Sequence, residues 1–138
     1  MFRHILVPLD LSSKNDAALD TALRLAQQNG ARVSLLHVIQ RIEHVPAAEL
    51  RAFYRQIEAT ARKKLKAAAR RFVANKIDVR LVVALGTPAR GIVEHAAVND
   101  VDLIVLASHR IDLSQPQGWG TTSYKVGVLC CCPVLLVK

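Results

Sequence analysis

The run Asp102-Leu-Ile-Val-Leu-Ala107 constrains this chain most, because five apolar residues in succession leave a strand no solvated face. Such a strand is buried on both sides, as happens in a parallel sheet covered by helices. Parallel neighbours cannot be joined by tight hairpins. Each strand must therefore be followed by a crossover, and the chain has to alternate strand and helix. A chain of 138 residues is long enough for one domain with a proper core, spanning 1–138, and too short for two.

The alternation runs from end to end. Phe2 to Leu9 reads as a strand, and Ser12 or Ser13 caps a helix carrying Ala17, Ala18, Leu19, Ala22, Leu23 and Ala26 that Gly30 ends. Arg32 to Ile39 is the second strand, followed by a loop over 41–46. A long helix then reaches about Asn75, with Leu50, Phe53, Tyr54, Ile57, Ala61, Leu65, Ala68 and Phe72 recurring at steps of three and four. Asp78 to Ala84 is the third strand. Thr87 takes the N-cap and Pro88 the first position of a helix to about Val98. Strand four is Asp102 to Ala107, residues 111–118 read as a loop or ragged helix, Tyr124 to Leu129 as a helix, and Pro133 to Val137 as the last strand.

The fold class is α/β. Right-handed crossovers leave few topologies, and a five-stranded parallel sheet of order 3-2-1-4-5 with helices on both faces satisfies them. In that order the chain reverses direction between strands one and four, and open α/β sheets bind ligands at the carboxyl ends beside such a reversal. The two strand ends concerned are Pro8-Leu9-Asp10 and Ala107-Ser108-His109-Arg110, the most polar in the chain. Gly120-Thr-Thr-Ser123 stands where the next helix starts, and unpaired N–H groups there attract phosphate.

Composition narrows the partners. The formal net charge is +8, and much of the excess lies between Arg51 and Lys76 on the long helix. That helix has no aromatic residues interleaved on its basic face for base stacking, so the charge reads as a solvated face and nucleic acid is not expected. No run approaches the ~20 apolar residues that cross a bilayer. The segment from Met1 to Asp10 is not a signal peptide, its apolar part being only Ile5 to Leu9. A soluble, cytoplasmic protein is expected. Cys130, Cys131 and Cys132 are contiguous and lack the spacing that grips zinc. They read as small buried apolar residues, with redox sensing as the alternative, and free thiols fit a reducing compartment.

Ile5-Leu-Val-Pro-Leu-Asp10 with Ser12, Gly86-Thr-Pro88, Asp102-Leu-Ile-Val-Leu-Ala-Ser-His109 and Cys132-Pro-Val-Leu-Leu-Val137 together resemble the universal stress protein family over essentially the whole chain. The resemblance implies a Rossmann-like, adenine nucleotide alpha hydrolase-like domain. It also implies a homodimer through antiparallel pairing of Val134 to Val137, with tetramers as a further option. Nucleotide-binding members carry Gly-x-x-Gly, nine residues, then Gly with Ser or Thr. Here Ala107 and Arg110 replace the first two glycines, while Gly120 and Thr121 stand at the conserved spacing. Ala107 adds one methyl group. Arg110 removes a close backbone approach but offers a guanidinium that can hold phosphate in a bidentate fork.

The resemblance thus implies a regulatory protein of the stress response that binds ATP, ADP or AMP, with Mg²⁺ carried on the phosphates. Asp10 would accept from the ribose hydroxyls or reach Mg²⁺ through the phosphates; its alternative role is to cap the following helix. Pro8, Leu9 and Val38 would line an adenine slot, and Gly86 belongs to the same set. Ser108, His109 and Arg110 would face the phosphates from one side, and Gly120, Thr121, Thr122 and Ser123 from the other. No nucleophile with a paired base and no Walker-type loop is present, so at most slow ATP hydrolysis or autophosphorylation is implied. A nucleotide-free scaffold acting through an unknown protein partner is the alternative reading.

Overall fold

The computed structural model describes residues 1–108, 114 and 121–138. Alternation gives β1 (His4–Pro8), α1 (Asp16–Asn29), β2 (Arg32–Gln40), α2 (Arg51–Ala74), β3 (Val79–Gly86), α3 (Pro88–Val98), β4 (Leu103–Ala107), α4 (Thr122–Leu129) and β5 (Val134–Val137). The strands form one parallel sheet in the order β3-β2-β1-β4-β5, as the sequence predicts.

Side-chain alternation divides the apolar residues between two layers. Ile5, Val7, Val33, Leu35, Leu103 and Val105 face α1 and α2, where Leu19, Leu65 and Phe72 meet them. Leu6, Leu36, Val38, Ile104 and Leu106 face α3 and α4, against Ile92 and Val126. Phe72 and Leu65 are wholly buried, and each contributes roughly 1.5–3 kcal/mol of hydrophobic stabilisation.

Several boundaries differ from the sequence reading, each for a local reason. Arg3 lies before β1 because the Asp102 carboxylate accepts from its N–H (2.8 Å) and from that of His4 (3.1 Å). Ser12 caps a single 3-10 turn, Ser13–Asn15, and α1 starts only at Asp16. Gly30 ends α1 in the left-handed region at φ 64°, as expected of a glycine there. Strand β3 continues two residues beyond Ala84, because Leu85 and Gly86 stay in register with Ile39 and Gln40. Thr87 occupies the N-cap of α3, but its side chain makes no capping bond. Helix α4 begins two residues earlier than expected, since the Thr121 hydroxyl accepts from the Tyr124 N–H at 3.3 Å.

Two expectations about burial need correction. Only the second half of the α2 stripe is core: Ala61, Leu65, Ala69 and Phe72 are buried, whereas Phe53 is 46% exposed. The cysteines are not uniformly buried either, because Cys131 is exposed. Cys130 and Cys132 are half-buried with their sulfurs 3.4 Å apart, and burial pushes the Cys132 thiol up to about 12.

At the amino ends of the strands a polar pair is folded into this core. His4 is buried, its Nδ1 lying 2.9 Å from the Asn99 carbonyl and its Nε2 2.7 Å from Ser34 Oγ. A carbonyl only accepts, so Nδ1 carries the proton and Nε2 accepts from the serine hydroxyl. Burial first, and the Arg32 guanidinium second, hold the His4 pKa below its ordinary value. Burial and the neighbouring His4 do the same for His95. Both imidazoles therefore take a proton in the unfolded chain at a higher pH than in the folded one. Their stabilising contribution is full above the ordinary value of 6.5 and is lost as pH falls below it. Denaturant midpoints measured from pH 7.5 to 5.0 should fall over this interval. His4→Gln should lower the midpoint at pH 7.5 and flatten the decline.

Candidate functional site

A cavity of about 690 Å³ opens at the carboxyl ends of β1, β2 and β4, under the first turn of α4. Its position follows from the topology. The chain leaves β1 toward β2 on one side and reaches β4 on the other, which leaves a crevice between their carboxyl ends.

Eight of the residues expected in a ligand site line this cavity. Pro8, Leu9 and Asp10 come from the end of β1, Val38 from β2, Ala107 from β4, and Thr121, Thr122 and Ser123 from the start of α4. Gly86 and Ser108 do not line it. The Gly86 carbonyl accepts from Arg41 N–H at 2.9 Å, and Ser108 N–H donates to the Val137 carbonyl at 2.8 Å. His109, Arg110 and Gly120 lie outside the described residues.

Asp10 is fixed by its own loop. Its Oδ1 accepts from Ser12 N–H at 2.9 Å and from the Asn15 side-chain amide at 2.6 Å. That amide also donates to the Ser12 carbonyl at 3.0 Å, and Asn15 is buried. Leu11 between them has φ 67°, a left-handed conformation uncommon for a residue with a side chain. Asp10 does not cap the helix as foreseen, since Ser12 caps the 3-10 turn and Asn15 precedes α1; its bonds close the loop and hold an exposed carboxylate at the cavity.

Across the cavity, Thr121 caps α4, and Ser123 Oγ donates to the Ala107 carbonyl at 3.2 Å. These contacts pin the start of α4 to the end of β4. The N–H groups of the first turn have no intrahelical acceptor and carry the positive end of the helix dipole. The remaining wall is mostly apolar, with Leu36, Ile92 and Leu106 beside Val38. An apolar slot ends in a carboxylate on one side and helix N–H groups on the other. Such an arrangement can hold a flat apolar ring, hydroxyls and an anionic tail.

Gly91 of α3 packs against Val38 in the wall of that slot. A methyl group added there would lie 3.0 Å from Val38 Cγ2 and 3.2 Å from Cγ1, so the glycine lets α3 pack closely behind Val38. Sequence reading gave this glycine no role.

It also missed His37, Phe53 and Ile57. His37 belongs to the cavity wall, with Nδ1 2.8 Å from the Leu9 carbonyl. A titratable residue inside the apolar run Leu35-Leu-His-Val-Ile39 was the available signal. Phe53 and Ile57 share the apolar spacing of α2, and only packing shows that they line the cavity.

Comparison with known proteins now places the chain. The model of the Universal stress protein family matches residues 1–138. The chain belongs to this family. It is 31% identical to the universal stress protein YxiE of Bacillus subtilis (strain 168) over 148 residues, covering 100% of both chains. Among solved structures, it is similar to the universal stress protein UspA from Lactobacillus plantarum, with TM-score 0.81 and 26% identity over 99% of this chain and 98% of that one. The Archaeoglobus fulgidus universal stress protein in complex with dAMP shares the fold at TM-score 0.72 and 19% identity, covering 99% and 98% of the two chains.

A mutant cycle tests the slot geometry. In the wild-type background Gly91→Ala should be neutral or destabilising, because a helical Ala is favoured over Gly by only about 0.5–1 kcal/mol while crowding costs about 1–3 kcal/mol. In a Val38→Ala background the crowding disappears, and the same change should stabilise. Denaturant unfolding of the four proteins reads the difference, and simple additivity would refute the contact.

Proposed function

We propose that this universal stress protein is an adenine-nucleotide-binding regulatory dimer, with the nucleotide held between the carboxyl ends of β1 and β4. The observation that carries the reading is the convergence of residues 8–10, Val38, Ala107 and 121–123 on one cavity at the reversal of strand order. The dAMP complex of the Archaeoglobus fulgidus protein supports an adenine ligand.

In this reading the adenine lies against Pro8, Leu9 and Val38, and Asp10 accepts from the ribose hydroxyls. The phosphates lie against the N–H and hydroxyl groups of Thr121, Thr122 and Ser123, with Gly120, His109 and Arg110 completing that end. Ser108 follows β4 and Gly86 ends β3, both at the carboxyl edge of the sheet where the site opens. Mg²⁺ would be carried on the phosphates, with Asp10 reaching it only through them. A cytoplasmic location, where free thiols persist, is part of the same reading.

The dimer is placed at β5. This strand lies at the sheet edge, with Leu135 40% and Leu136 38% exposed. An apolar edge with unpaired backbone groups is a template for a second copy. Leu136→Lys is therefore expected to convert the dimer to a monomer in sedimentation velocity. A wild-type protein that sediments as a monomer at tens of micromolar would refute the placement.

Calorimetric titration of nucleotide-stripped protein with ATP and Mg²⁺ tests the ligand. Saturable micromolar binding is expected, and Asp10→Ala should abolish it. Asp10→Asn separates charge from folding, because its amide oxygen can still accept from Ser12 and Asn15. It should change stability by less than about 1 kcal/mol yet weaken ATP at least tenfold. No heat and no thermal stabilisation at millimolar ATP would overturn the reading in favour of a nucleotide-free scaffold. Mg²⁺-dependent phosphate release lost in Asp10→Ala would add slow hydrolysis to it.

A further inference from the structure

A second cavity, of about 630 Å³, opens on the far side of Asp10 between the β1–α1 loop and α2. Asp10, His37, Phe53 and Ile57 belong to the walls of both cavities. The two spaces therefore meet at the carboxylate that the proposed reading gives to the ribose.

The second cavity has an electrostatic character of its own. Hydrogen-bond donors Ser12, Gln56 and Lys64 line it. Ser12 Oγ accepts from the Lys14 N–H at 3.3 Å, which leaves its own proton to donate. Lys64 makes no ion pair among the described residues and also borders a third, smaller cavity further along α2. Arg71, in the wall of that third cavity, is held by Asp16 at 3.2 Å and Asp20 at 2.7 Å. The cation nearer the site is thus available, and the farther one is spent on the fold. Among the described residues Asp10 is the one acidic group of the second wall, and its Oδ1 already accepts from Ser12 and Asn15.

We propose that this second cavity receives a phosphate carried on the ribose of the bound nucleotide, with Lys64 as its counter-ion. The site would then suit adenine nucleotides phosphorylated on the 5′ oxygen and again on the 2′ or 3′ oxygen. This rests on the nucleotide reading given above. A phosphate on one ribose hydroxyl leaves the other free to donate to Asp10. Its charge is carried outward from the carboxylate, into the space lined by Ser12, Gln56 and Lys64. Lysine suits the role as a flexible point charge that needs no fixed fork. Lys64 is exposed, so the phosphate keeps part of its water and the gain in affinity is modest.

Calorimetry on the wild type compares adenosine 5′-monophosphate with the 3′,5′- and 2′,5′-bisphosphates at low and moderate salt. At least one bisphosphate should bind about fivefold tighter than the monophosphate, the factor that ~1 kcal/mol of ion pairing gives. Lys64→Gln should bring that ratio close to one, and added salt should reduce it. Arg55→Gln removes a charge from α2 outside both cavities and should leave the ratio as it was. The proposal is overturned if neither bisphosphate exceeds the monophosphate, if the ratio survives Lys64→Gln, or if Arg55→Gln lowers it equally. Failure of all three nucleotides to bind would instead overturn the nucleotide reading, and this inference with it.

Discussion

Strand β1 pairs with β2 over five residues, from His4 to Pro8, but with β4 only through Ile5–Leu103 and Leu6–Ile104. Beyond Leu6 and Ile104 the two strands have no further register pairs, and the cavity opens where the ladder ends. The cause lies in the chain's route. Helices α1 and α2 return on one face of the sheet and α3 on the other, so the strand order reverses beside β1. Right-handed crossovers make that reversal unavoidable once β4 is placed beside β1 rather than beyond β3. The candidate site is therefore a consequence of strand order, and local loops only furnish it.

Those loops are furnished with rigid parts. Asp10 borders the cavity from a turn that its own carboxylate stabilises, through Ser12 N–H and Asn15. The left-handed Leu11 is the least comfortable residue of that turn. Its side chain packs against the α1–α2 core layer, which holds the conformation in place. On the opposite wall, Thr121 and Ser123 use their hydroxyls to fasten α4 to itself and to β4. Groups held this way need little reordering when a ligand arrives, which preserves binding energy that flexible loops would lose.

Much of this was legible in the chain. Strand order and both helical layers follow from apolar periodicity, turn residues and the topology rule, which also point to the ends of β1 and β4 and the start of α4; Val38 comes only from the family resemblance. What was not legible depends on distance between segments far apart in sequence. Phe53 and Ile57 carry the same spacing as Leu65 and Phe72, and nothing in that spacing says that the sheet ends beneath the first pair. Ser108 is polar and beside the site, yet its N–H belongs to β5, a pairing set by register that periodicity does not encode. Gly91 looks like an ordinary weak point in a helix until Val38 is found 3.0 Å from where its methyl would be.

Helix α2 joins the fold to the site. Its second half is anchored by Leu65 and Phe72 in the core and by Arg71 bridging to Asp16 and Asp20 on α1. Its first half reaches past the sheet, where Phe53 stands 46% exposed and Ile57 borders both cavities. One continuous helix carries both halves, since Arg51 to Ala74 holds neither proline nor glycine to break it. A ligand between β1 and β4 that covers Phe53 and Ile57 would supply the apolar contact that the sheet does not. Because such a ligand binds the folded form alone, its affinity would appear directly as added stability. Occupancy of the cavity and order in the first half of α2 are then two measures of one equilibrium. On the nucleotide-binding reading, that coupling would give the domain a physical means of signalling its state: it would alter how firmly an exposed, basic helix is held.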